Sequence, residues 1–133
     1  MTETMYAAPG VGLAANQVGL SVACFVYDDR EGHTGFVANP ELSDLEEEDT
    51  FEEGCLSIPG PYHPTVRALR VRLRGSDLDG RPLDIRVEGL LARIFQHETD
   101  HLRGMLYIDR LDDEGRRDVM RQLREFEVQR SEP

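Results

Sequence analysis

The run Gln96-His97-Glu98-Thr99-Asp100-His101 sets two imidazoles four residues apart with a carboxylate between them. On a helix, positions i and i+4 share one face about one turn apart, so both rings can reach a single cation. The glutamate beside the first histidine can then address a water on that cation rather than the cation itself. The alternative is two histidines on a wet helix face. Two histidines do not complete a site, because a catalytic zinc or iron centre takes three protein ligands and keeps one position open. His33, His63, Cys24, Cys55 and the carboxylates remain as candidates for the third. Cys24 lies in an apolar run and reads as a small core residue. Cys55 sits in the polar stretch Glu52-Glu53-Gly54-Cys55-Leu56-Ser57 and is the natural partner of the helical pair. A cation there deprotonates the sulfur. Two nitrogens and a sulfur suit zinc or iron(II) and argue against magnesium or calcium, which want oxygen.

Gly10-Val11-Gly12-Leu13 begins like a phosphate-binding glycine loop, but no strand precedes it, no third glycine follows at the right spacing, and the chain has no Lys. A close-approach backbone is the better reading, since missing side chains let a substrate chain or a metal come near. Gln17 closes the segment and can offer an amide N–H to a developing oxyanion.

These residues need elements to hold them. Thr2 to Ala8 reads as the last turns of a helix stopped by Pro9-Gly10, and Ser21 to Tyr27 as a buried strand. Gly35 to Ala38 is the expected hairpin partner of that strand, closed by Asn39-Pro40. Leu69, Val71 and Leu73 alternate with Arg70, Arg72 and Arg74, which predicts a strand with one apolar face and one arginine face. The arginine face reads as the wet side of a sheet, with anion binding as the alternative. Asp79-Gly80 predicts a hairpin turn into Leu83–Val87. From Leu90 the period changes to that of a helix ended by Gly104. A last helix is expected from Asp112 or Asp113, its stripe made of Val119, Leu123 and Phe126 with Met120 beside them. Arg116, Arg117, Arg121, Arg124 and Arg130 leave a partner-binding role open for it. The expected class is α+β, with small antiparallel sheets around a central metal-binding helix and a C-terminal amphipathic helix. No repeat or linker divides residues 1–133, which read as one domain.

With 133 residues the chain has one domain's worth of sequence. A net charge of −11 repels phosphate backbones and disfavours broad nucleic-acid binding. Eight acids between Glu41 and Glu53, with no base among them, read as a solvated loop kept extended by its charges; a calcium site or a basic partner is the alternative. No stretch approaches the roughly 20 apolar residues of a membrane span. The start, MTETMYAAPG, has neither the basic nor the apolar region of a signal peptide, and two cysteines are too few for a disulfide framework. A cytoplasmic setting is expected.

Taken together, Gly10-Val11-Gly12-Leu13-Ala14-Ala15-Asn16-Gln17, Glu53-Gly54-Cys55-Leu56-Ser57 and Gln96–His101 resemble, in order and spacing, the three signature motifs of peptide deformylases. The resemblance runs from about Thr4 to Val128. It implies hydrolytic removal of the N-formyl group from the initiator methionine of newly made polypeptides, with release of formate. It also implies that Cys55, His97 and His101 hold one divalent metal, natively iron(II) and replaceable by zinc or nickel. Glu98 is then the general base, and the amide of Gln17 with the backbone N–H of Leu56 steadies the oxyanion. The peptide would bind as an added strand along Val11 and Gly12, and the methionine pocket would be lined around Leu90, Ile94 and His97. Arg93 stands where an apolar residue facing that pocket is expected, and Arg67 reads as structural. Relatives carry several tens of residues before the first motif, so the chain is expected to leave apolar surface exposed. A late start site, a shortened paralogue or a homodimer covering the gap would each account for that. Formylmethionyl peptides are the expected partners, with ribosome proximity through the C-terminal helix. A non-catalytic or regulatory metal-binding relative, or an amidase acting on another formylated small molecule, is the alternative.

Overall fold

The computed structural model describes residues 12–15, 23–55 and 58–131. Strands β1 (Gly12–Ala14), β2 (Cys24–Asp28), β3 (Thr34–Cys55), β4 (Ile58–Ser76) and β5 (Pro82–Glu88) lie in chain order in one five-stranded sheet. Two helices follow, α1 (Gly89–Leu102) and α2 (Asp113–Ser131), with a 3₁₀ turn at Tyr107–Arg110 between them. The α+β class read from the sequence is the one observed. The expected helix over Thr2–Ala8 lies outside the described residues. Contacts concentrate in two compact units, residues 1–49 with 67–105 and residues 50–66 with 106–133.

In the first unit, β1 pairs antiparallel with β2 (Leu13 opposite Val26), and β2 with β3 (Phe25 opposite Val37). The alternation in β4 works as expected: Val71 and Leu73 are buried and face Val87 and Ile85 across the antiparallel ladder to β5. Ala14, Phe25, Val37, Leu73, Ile94 and Phe95 form the core, so α1 packs directly on the strands that carry the apolar faces. Burying an aromatic such as Phe25 or Phe95 is worth roughly 1.5–3 kcal/mol. The rings of Phe25 and Phe95 sit 5.7 Å apart, and Tyr27 meets Phe95 edge-on at 5.0 Å.

The acidic stretch corrects the reading made from composition. It is part of β3, not a solvated loop, because the neighbouring strands supply the opposite charge. Arg70 pairs with Glu46 and Glu47, and Arg86 reaches Asp44 at 3.3 Å. Arg72 grips Asp84 through two hydrogen bonds of 2.7 and 2.5 Å. Such exposed pairs contribute little each, but together they remove the repulsion that would keep the segment away from a sheet. The strand also bends, taking left-handed φ of 50°, 50° and 55° at Asn39, Asp44 and Glu47. Thus β3 runs straight through the Asn39-Pro40 stop that the sequence suggested.

In the second unit, α2 begins as expected at an Asp112 cap, whose Oδ1 accepts the Gly115 N–H at 2.8 Å. Val119 is fully buried and Leu123 and Phe126 are half-buried, whereas Met120 is 46% exposed and falls outside the stripe. One helical position is a 100° turn, which carries it off the packed face. The side-chain amide of Gln122 brackets Tyr62, donating to its carbonyl at 2.8 Å and accepting its N–H at 3.0 Å. His63 Nδ1 lies 2.8 Å from Asp118 Oδ2 beside it. Among the described residues, no helix is long and apolar enough to cross a membrane.

Candidate metal centre

Helix α1 carries the chemistry because its polar residues fall into two parallel i, i+4 rows. His97 and His101 form one row, their rings 4.6 Å apart at 73° and their Nε2 atoms 2.9 Å apart. Gln96 and Asp100 form the next, one residue round the helix. The helix ends just beyond His101 in a Schellman turn: the Gly104 N–H reaches the His101 carbonyl at 2.9 Å and the Met105 N–H the Asp100 carbonyl at 2.8 Å. Gly104 closes it at φ 76°, a conformation that a side chain would strain. The expected helix stop is therefore the device that holds the second histidine's turn together.

Cys55 is the last residue of β3. Its Sγ and one ring nitrogen each of His97 and His101 all lie within 4.8 Å of one another. His101 is buried, while Cys55 and His97 are partly exposed. Two imidazole nitrogens on one tetrahedral ion are roughly 3.3 Å apart, given metal–nitrogen distances near 2.0–2.1 Å. The observed separation of 2.9 Å is close to that. A sulfur and two nitrogens converging in this way fit a borderline-soft divalent cation.

Glu98 is 3% exposed, with Oε1 4.0 Å from His97 Nε2. Directly against it lies Gly12 of β1: a Cβ there would sit 2.9 Å from both Cγ and Oε1 of Glu98. This close approach gives the glycine segment its physical meaning, because only a residue without a side chain leaves room for the carboxylate. Near Cys55, Tyr107 is wholly buried, and its phenol is pushed up to about 12 by burial and then by Cys55 and Glu53. It stays a neutral phenol across the working range of pH.

The other candidates from the sequence divide clearly. Leu90 lies in the first turn of α1 and is 42% exposed, whereas Ile94 is buried in the core with Phe25 and Leu73. Val11, Gln17 and Leu56 lie outside the described residues. Arg93, expected to face a pocket, is buried and donates from Nη2 to the Asp49 carbonyl at 2.9 Å. His33 and His63 are engaged elsewhere, with Asp29 at 2.7 Å and with Asp118. Cys24 is buried in β2 and burial pushes its thiol up, as befits a core residue. Arg67, read as structural, is so, but its partner escaped the sequence reading: Arg67 and Ala68 of β4 grip Asp100 and Gln96. The i, i+4 spacing of Gln96 and Asp100 was the signal for it.

Comparison with known proteins gives this geometry a family. Residues 1–117 match the family described as Polypeptide deformylase. The chain is 50% identical over 127 residues to a peptide deformylase of Acidothermus cellulolyticus, covering 96% of this chain and 70% of that protein. It is 47% identical over 135 residues to peptide deformylase 1 of Streptomyces avermitilis, covering 96% of this chain but 62% of that one. A crystal structure of a peptide deformylase from Legionella pneumophila superposes with a TM-score of 0.89 at 43% identity, covering all of this chain and 80% of the other. The chain belongs to the polypeptide deformylase family, metal-dependent hydrolases that take the N-formyl group from nascent peptides.

Proposed function

We propose that this chain removes the formyl group from N-formylmethionyl peptides, with Cys55, His97 and His101 holding one divalent cation and Glu98 moving the proton. The observation that carries this reading is the convergence of one sulfur and two ring nitrogens within 4.8 Å. A cation held by those atoms supplies a Lewis acid that polarises the formyl carbonyl and acidifies the attacking water. Iron(II) is the resident ion in this reading, and zinc or nickel substitutes for it, as the donor set allows.

The side chains do the rest. Glu98 takes a proton from the attacking water and passes it to the leaving amine as the formyl C–N bond breaks, so formate and a free N-terminus result. Its burial beside Gly12 supports this role, since a carboxylate confined by a backbone wall is held in one position. The Gln17 amide and the Leu56 N–H donate to the oxyanion. Val11 and Gly12 pair with the peptide main chain, which leaves side chains beyond methionine variable, while the exposed Leu90 flanks the methionine and Ile94 backs its pocket from the core. We assign all of this to a single domain working in the cytoplasm. The arginines of α2 are the surface by which it would work near the ribosome.

The test is formate release from a formyl-Met tripeptide, measured alongside the metal content of anaerobically purified protein. Glu98→Gln should retain the cation and lose about 10²–10⁴-fold in turnover, the usual worth of a positioned general base. Unchanged turnover in that variant removes Glu98 from the reaction.

A further inference from the structure

We infer that Arg67 is a positioning residue for the cation site, acting through Asp100 to hold the last turn of α1, and with it His101, in place. This rests on the reading of Cys55, His97 and His101 as ligands.

Adjacent residues of β4 grip α1 at two points one turn apart. Arg67 Nη1 donates to Asp100 Oδ2 at 2.5 Å, with both side chains almost wholly buried. The next residue, Ala68, donates its N–H to Gln96 Oε1 at 2.9 Å and accepts from Gln96 Nε2 at 2.8 Å. The same Nε2 also donates to the Ala92 carbonyl at 3.0 Å, so this buried amide is well supplied with partners. Two anchors on one row of a helix fix both its rotation about its axis and its slide along the strand. The histidine row lies one residue further round, so fixing the first row aims the second.

The two anchors are not equivalent. Gln96 precedes both histidines, whereas Asp100 stands in the final turn, next to His101 and two residues before the helix ends at Leu102. Final turns fray, because their carbonyls have no partner further along the helix. Here the Schellman turn holds the backbone of Asp100 and His101, and Arg67 holds the Asp100 side chain. A guanidinium near a helix C-terminus also meets the negative end of the helix dipole. Losing Arg67 therefore loosens His101 rather than His97. Groups that orient metal ligands commonly change cation affinity by about 10- to 100-fold when removed.

Cobalt(II) uptake tests this, followed by its visible absorption and by competition with a chromophoric chelator. Arg67→Met alone strands a buried carboxylate and endangers folding. The pair Arg67→Met with Asp100→Asn removes both charges together, and Arg67→Lys keeps the charge without the planar fork. The expected result is cobalt affinity at least about 10-fold weaker and an altered cobalt spectrum in the double variant, with the lysine variant between it and the parent. The metal-free melting temperature should stay near the parent's. Parental affinity and spectrum in the double variant, or a loss of affinity no larger than the loss of metal-free stability, would overturn the inference. A parent that takes up no cobalt would overturn the ligand assignment, and this inference with it. Uptake by the parent with unaltered variants overturns this inference alone.

Discussion

Replacing Gly12 by Ala tests how tightly the β1 backbone confines the glutamate. The added Cβ would lie 2.9 Å from Cγ and from Oε1 of Glu98, and 3.1 Å from its carboxyl carbon. Ordinary contact begins near 3.4 Å, so the glutamate must retreat by about half an ångström. Gly12 does not occupy the left-handed region, so alanine costs no backbone strain and the effect is one of contact alone. Cγ is not a free end, and Glu98 is buried, so its side chain cannot swing out into solvent to relieve the contact. Misplacing a reacting group by 1 Å can cost about 100-fold, so half that distance should cost about 10-fold in kcat, or about 1.4 kcal/mol of barrier. Overpacking should also lower stability by about 1–3 kcal/mol. Formate release from a formyl-Met tripeptide gives kcat and KM, and metal analysis shows whether the cation remains. In a Glu98→Gln background the same Gly12→Ala change should have little further effect on kcat, because the group it displaces no longer moves a proton. Parental kcat in Gly12→Ala, or an equal loss in both backgrounds, refutes the reasoning.

Cys55→Ala should purify with less than a tenth of the parent's bound zinc, nickel or iron, since two imidazoles alone make a weak site; metal analysis at matched protein concentration decides it. Gly104→Ala should lower stability by about 1–2 kcal/mol in a denaturant titration, because the φ of 76° disfavours a side chain. Asp118 carries a pH prediction. Hydrogen bonds from Arg121 first, and then from His63, hold its carboxyl down at about 2. An unfolded aspartate titrates near 3.9. The stabilisation is therefore complete above about pH 4 and is lost as pH falls toward about 2. Asp118→Asn should flatten the fall in melting temperature across that window, and an unchanged slope would show that the cluster contributes nothing to acid stability.

Periodic elements were legible in the sequence because a local pattern reports which face is buried. The alternation of Leu69–Arg74 and the 3.6-residue period after Leu90 became β4 and α1, the latter within a residue of its expected start. The Asp112 cap of α2 was legible for the same reason, since capping is a contact between near neighbours. The acidic segment was not. Its charges look like a loop until Arg70 and Arg86, more than twenty residues away, are seen beside Glu46, Glu47 and Asp44. Met120 failed in the opposite sense, since an apolar residue next to a stripe was counted as part of it.

The sequence by itself determined which atoms are available to hold a cation: a thiol after a glycine, two imidazoles one helical turn apart, and a carboxylate between them. Spacing along a helix is local geometry, so no folding was needed to see that pair. Only the tertiary structure decided that Gly12 makes room for Glu98 and that Arg67 clamps Asp100. Those contacts join residues tens of positions apart, and their strength depends on burial that no local pattern records.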